Sequence, residues 1–121
     1  MRRDPRDFLP VKDLVFRILV ALADGERAAG SLAEALDDAD GAGAVLPGHL
    51  YRTLDRMLED DLVREEDRSD ERAGPQGKPG PATRRFFSLT PLGVEVARAE
   101  TRRLAALVEK SRNGRLIGQR R

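Results

Sequence analysis

Between Leu46 and Asp61 the chain reads LPGHLYRTLDRMLEDD, and four of its side chains, His49, Arg52, Thr53 and Arg56, are spaced to act together. On a helix stepped by about 100° per residue they fall within about a quarter of the circumference. They are a compact set of hydrogen-bond donors, of the kind that meets base edges and phosphate oxygens. From His49 to Arg56 the helix axis rises about 10 Å, close to the roughly 12 Å width of a DNA major groove. Tyr51 stands at the margin of this face, where its hydroxyl would reach a nucleic-acid backbone while its ring packs. The implied chemistry is recognition of double-stranded DNA.

No comparable set of residues supports catalysis. The chain has a single histidine, His49, and no cysteine, and no His/Asp/Glu grouping has the spacing of a metal site. Glu65-Glu66-Asp67 is a run of carboxylates, but neighbours along a strand point to opposite faces and do not converge on one ion. Gly77-Lys78 lacks the rest of a phosphate-binding loop. We therefore expect no enzyme, no catalytic residue, no metal and no cofactor. The absence of cysteine excludes disulfides and fits a reducing compartment. No run approaches the roughly 18 apolar residues that cross a bilayer, and Met1-Arg2-Arg3-Asp4-Pro5 leads into no signal-peptide core. The expected location is the cytoplasm, away from membranes.

The donor face needs a scaffold, and the same helix supplies its first part. Leu50, Leu54, Met57 and Leu58 form an apolar stripe on the other side, and Pro47 suits the first helical position because its missing N–H costs no hydrogen bond there. Upstream, Leu14, Val15, Ile18, Leu19 and Leu22 predict a helix over 12–23, stopped by Asp24-Gly25. Ser31-Leu32-Ala33-Glu34 has the form of a capping box opening a second helix that runs to about Asp38. A turn follows at 40–43, with Ala44-Val45-Leu46 expected as a short strand.

Downstream, Leu62-Val63 with residues 64–66 reads as one strand and Arg85 to Leu89 as its partner, Phe87 and Leu89 sharing a face. The two make a hairpin, whose Arg84 and Arg85 are expected as DNA contacts beside the helix. Residues 67–83, rich in Gly, Pro and charge, are expected as a long tip whose Lys78 either touches a phosphate or is merely solvated. Thr90 as N-cap and Pro91 after it open a last helix to about Arg112, with Leu92, Val96 and Ala99 finishing the core of the hairpin. Ala97, Leu104, Leu107 and Val108 form a second stripe beyond the compact part. Either a partner subunit covers it or the helix folds back on the first one. Residues 113–121 read as a frayed basic tail.

Two blocks carry a family resemblance. Pro47-Gly48-His49-Leu50-Tyr51-Arg52-Thr53-Leu54-Asp55-Arg56-Met57-Leu58-Glu59 through Leu62, and Arg84-Arg85-Phe86-Phe87-Ser88-Leu89-Thr90-Pro91-Leu92-Gly93, resemble the signature of PadR-like transcriptional regulators. With Phe8-Leu9-Pro10 and the helix after it, the resemblance spans most of residues 8–110. It implies a repressor that responds to a small-molecule effector. Departures from the family pattern occur where Leu46 stands in place of the usual Ser, Thr or Gly cap, and where His49 replaces Ser or Thr and puts a titratable group on the donor face. Ala28-Ala29-Gly30 replaces the common His-Gly-Tyr, so no phosphate contact carries over there.

A chain of 121 residues, 40% of them apolar and 36% charged, makes one globular domain. The fold class is mainly α (α+β): a winged helix-turn-helix over 8–89 with a two-stranded β wing, then a long C-terminal dimerisation helix over 90–112. Near-palindromic DNA and a second copy of the chain are the expected partners. The competing reading is a winged-helix protein-interaction module without DNA. Twenty-two basic against 21 acidic residues, a net charge of +1, favour it somewhat, as do the acids of residues 59–71.

Overall fold

Apolar residues at helical spacing place Ile18, Leu19 and Leu22 on one side of α1 (Asp13–Leu22), and all three are buried. The computed structural model describes residues 3–37, 45–70 and 82–114. After α1 come β1 (Arg27–Ala28), α2 (Ala29–Asp37), α3 (Pro47–Glu59), β2 (Val63–Asp70), β3 (Ala82–Leu89) and α4 (Pro91–Asn113). A 3-10 turn, Pro5–Phe8, precedes them. This is a winged helix-turn-helix. Its core joins Ile18, Leu19 and Leu22 to Leu32 and Leu36 of α2, Leu50, Leu54 and Met57 of α3, and Val63, Phe87 and Val96 from the wing and α4.

The wing has its expected two strands, β2 and β3, and a third, β1, joins them in the order β1-β3-β2, antiparallel throughout. Arg27 pairs with Phe87 and Ala28 with Phe86, so β1 occupies the free edge of β3. That edge is therefore closed to the strand expected at Ala44-Val45-Leu46; Val45 and Leu46 lie in no strand, and Ala44 is outside the described residues. The short β1 leads straight into α2, which begins at Ala29, ahead of the predicted capping box. Ser31 is thus inside the helix, where its hydroxyl accepts a hydrogen bond from Arg27 Nη1 (3.2 Å).

The wing strands are longer than their apolar residues announce. Pairing runs from Val63↔Leu89 to Asp70↔Ala82, because a ladder needs only backbone N–H and C=O groups and accepts charged side chains wherever they face water. The long tip expected over 67–83 is shortened accordingly. Residues 71–81, which include Lys78, lie outside the described residues, as do the turn at 40–43 and the tail from 115 on.

α3 ends in a Schellman arrangement: Leu62 N–H donates to the Met57 carbonyl (2.9 Å) and Asp61 N–H to that of Leu58 (3.1 Å), with Asp61 in the left-handed region at φ 62°. Thr90 then ties the two ends of the wing together. Its hydroxyl donates to the Asp61 carbonyl (2.6 Å) and accepts from Gly93 N–H (2.9 Å), the N-cap bond that the sequence predicts. Gly93 lies so close to the Leu62 carbonyl that a Cβ would collide with its oxygen. No side chain fits there.

Val96 is fully buried and Leu92 packs against the core, as expected, whereas Ala99 lines a cleft with Asp4, Pro5 and Arg6 rather than finishing the hairpin. One turn after Val96 comes Glu100, only 1% exposed. Its carboxylate accepts two hydrogen bonds from Arg103 (both 2.8 Å) and a third from Val11 N–H, fastening the N-terminal segment to α4. Beyond it Leu104 is half-buried, and Leu107 and Val108 are exposed. No helix among the described residues is long and apolar enough to cross a membrane.

Candidate nucleic-acid interface

The apolar stripe of α3 decides which way the donors point. With Leu50, Leu54 and Met57 buried almost completely, His49, Arg52 and Arg56 are left exposed on the other side. Among the described residues no ion pair or side-chain hydrogen bond engages the His49 imidazole or the guanidinium of Arg52 or Arg56. Arg52 Nη1 folds back over the first turn, 3.3 Å from where a Cβ on Gly48 would be. Thr53 is half-buried, and its hydroxyl donates to the His49 carbonyl (2.8 Å), so toward solvent it offers only an acceptor and its methyl group.

The start of α3 adds backbone donors. Leu46 occupies the N-cap position and makes no side-chain cap, as expected from its type, and Pro47 is at the first position. Leu50 N–H is the first to reach back, to the Leu46 carbonyl (3.0 Å), so the amides of Gly48 and His49 face solvent beside the imidazole. Uncapped amides and the positive end of the helix dipole suit an anion.

The wing contributes differently from the helix. Arg84 is half-buried and lies over the Phe86 ring, 5.8 Å from its centroid. Arg85 donates from Nε and Nη2 to the two Glu65 oxygens (2.6 and 3.1 Å) and from Nη2 to Asp55 Oδ1 (3.2 Å). The guanidinium beside Glu65 holds that carboxyl below its ordinary range, and Glu65 in turn raises Arg85 further. Asp67, directly opposite Arg85 in the ladder, has its carboxyl raised by sharing a hydrogen bond with Glu65. Two positions apart on one strand, Glu65 and Asp67 share a face that the run Glu65-Glu66-Asp67 conceals when read only by nearest neighbours.

Sequence reasoning missed Asp55 and Glu65. One signal for Asp55 was present: it follows Tyr51 by four residues, so the two share a helix face, the one that meets Arg85. For Glu65 there was none, since its approach to Arg85 is diagonal across the ladder and depends on the register of the hairpin.

The same arrangement of helices and wing recurs in solved structures. A PadR-like transcription factor from Bacteroides fragilis has 26% identity and a TM-score of 0.65, over 80% of this chain and 84% of that one. A PadR family transcription regulator from Clostridium difficile has 19% identity and a TM-score of 0.68, over 88% of this chain and all (100%) of that one. Bacillus subtilis PadR, solved in complex with operator DNA, has 16% identity and a TM-score of 0.58, over 74% of this chain and 46% of that one. The chain has the fold of the PadR-like transcriptional regulators. No protein-family model and no curated protein sequence matches it.

Proposed function

We propose that the protein is a sequence-specific DNA-binding transcriptional regulator that inserts α3 into the major groove. The observation that carries this is the unengaged donor face of His49, Arg52 and Arg56, held outward by a fully buried stripe on the same helix. Arg52 and Arg56 suit guanine edges or phosphates, Thr53 and His49 are lesser contacts, and the free amides at the start of α3 suit a phosphate. Lys78, Arg84 and the Tyr51 hydroxyl are assigned to the backbone beside the groove. The B. subtilis PadR structure, solved with operator DNA, is a precedent for this use of the fold.

The finer reading is a homodimer of repressor type on a near-palindromic operator. Two copies of α3 would enter successive major grooves about 34 Å apart. Repression and response to a small-molecule effector rest on the resemblance to PadR-like proteins alone.

Selection of binding sites from random-sequence DNA, followed by footprinting, tests the reading. The expected result is a site with two half-sites about one helical turn apart. If the protein is not retained on heparin or on unselected DNA at low salt, the reading fails, and the near-neutral chain is better described as a protein-interaction module.

A further inference from the structure

Arg85 stands where three elements meet. Its fork grips both oxygens of Glu65 on β2, and the same Nη2 reaches Asp55 on α3. Its central carbon lies 5.6 Å from the centroid of the Tyr51 ring on α3 and 5.2 Å from that of Phe87 on β3. Phe87 is fully buried, so the stack is anchored in the core. The two α3 residues, Tyr51 and Asp55, are one turn apart and close on Arg85 as a pair.

The strength of the two arms differs. The Glu65 arm is bidentate, and its side chains are 23% and 34% exposed, a geometry in which an ion pair holds its orientation. The Asp55 carboxylate is 61% exposed, so that arm is weaker and is the one that yields first. β2 follows α3 in the chain through residues 60–62, at the C-terminal end of the helix, and the apolar stripe of α3 packs on the wing through the shared core. Asp55 and Tyr51 lie nearer the middle of the helix and its donor half, so Arg85 adds a directional polar attachment there. Apolar packing tolerates small shifts in tilt that a hydrogen-bonded fork resists.

We propose that Arg85 is a positioning residue: through Asp55 and Tyr51 on one side and Glu65 on the other it sets the angle of α3 against the wing, and it does not itself contact DNA. The proposal rests on α3 being the DNA-contacting helix. It predicts a sign opposite to that of simple electrostatics. Asp55 is an exposed carboxylate on the helix that meets a polyanion, so removing its charge should by default strengthen binding.

The test uses the full chain and a duplex recovered by the wild-type protein from a random pool, with salt titrations of each variant. Asp55→Asn is expected to weaken binding about two- to fivefold, the scale of an exposed charged pair, although it removes a negative charge. Arg85→Ala should weaken it further with the salt slope unchanged, whereas a lost phosphate contact lowers that slope by about one. Arg85→Lys should fail to restore affinity, because an ammonium lacks the fork that spans Glu65 and Asp55, while at a phosphate it would serve as a point charge. Tighter binding by Asp55→Asn, a lowered slope in Arg85→Ala, or full rescue by lysine overturns the proposal. Should Arg85→Ala not fold, the exposed Asp55→Asn still gives the deciding sign. Failure of the function proposed above reads differently: the wild-type protein then holds no DNA, and the positioning role falls with it.

Discussion

Arg52 and Arg56 lie one turn apart on α3, and neither guanidinium is engaged by the rest of the described chain, so their loss costs the fold little. Arg52→Ala and Arg56→Ala should each reduce operator affinity by about 1–3 kcal/mol where the contact is to a base edge. Where it is to a phosphate, the loss should be similar on all sequences and the salt slope should fall by about one. Gel-shift titrations at several salt concentrations separate these outcomes, and unchanged affinity in both variants would remove α3 from the interface. Glu100 makes the opposite case of a charged residue. Its hydrogen bonds from Arg103, and after them the one from Val11 N–H, hold its carboxyl below the ordinary 4.5. A depressed folded pKa means that its contribution is complete above the unfolded value and is lost as pH falls from about 4.5 through the folded value. Glu100→Gln should therefore lower stability by about 1–2 kcal/mol at neutral pH, with a smaller deficit at low pH. Melting curves at both pH values check this. The donors of α3 were legible because helical spacing segregates them from leucines; Glu100 was not, because its partner Val11 is far away in sequence and is a backbone amide.

At the level of elements, the joint between α3, the wing and α4 is held by several constraints at once. Asp61 turns the chain in the left-handed region, Leu62 offers its carbonyl, Thr90 bonds back to Asp61, and Gly93 packs against Leu62. Gly93→Ala should cost about 1–3 kcal/mol, the range for overpacking a tight site, since the atom it meets is backbone and cannot rotate away. Urea unfolding measures this, and wild-type stability would show that α4 can shift its first turn. The helices were readable from periodicity, and the start of α4 from Thr90-Pro91. The strands were less so. Two residues suffice for β1 because β3 offers it a complete row of backbone partners, and Arg27-Ala28 has no alternation to announce it. The same edge-filling displaced the strand expected at Ala44-Val45-Leu46, and the early start of α2 left Ser31-Glu34 a capping box in composition only. In the wing, the charges of 67–70 suggested a loop where the backbone ladder continues.

For the whole molecule the question is what the second half of α4 is for. The helix is 23 residues, about 34 Å long, and Val96 and Glu100 bind its first half to the domain. Ala97 packs onto the chain's own core and lines a cleft with Val20, so the fold-back onto α1 that the sequence left open accounts for part of the stripe. It does not reach the rest. Leu107 and Val108 remain 48% and 47% exposed, with Leu104 half-buried beside them, and Val20 on α1 is 51% exposed. Covering such side chains is worth up to about 1.5–3 kcal/mol each when burial is complete, and in the proposed dimer a second copy of α4 would supply the cover by packing around a two-fold axis. Two charges at this seam should then act twice. Leu104→Glu with Leu107→Glu is expected to give a folded monomer that loses operator affinity although α3 is untouched, because one half-site contact replaces two. Sedimentation together with DNA binding decides it: a persistent dimer with wild-type affinity would place the seam elsewhere, with Phe8, Leu9 and the exposed Val20 side of α1 the next surface to alter.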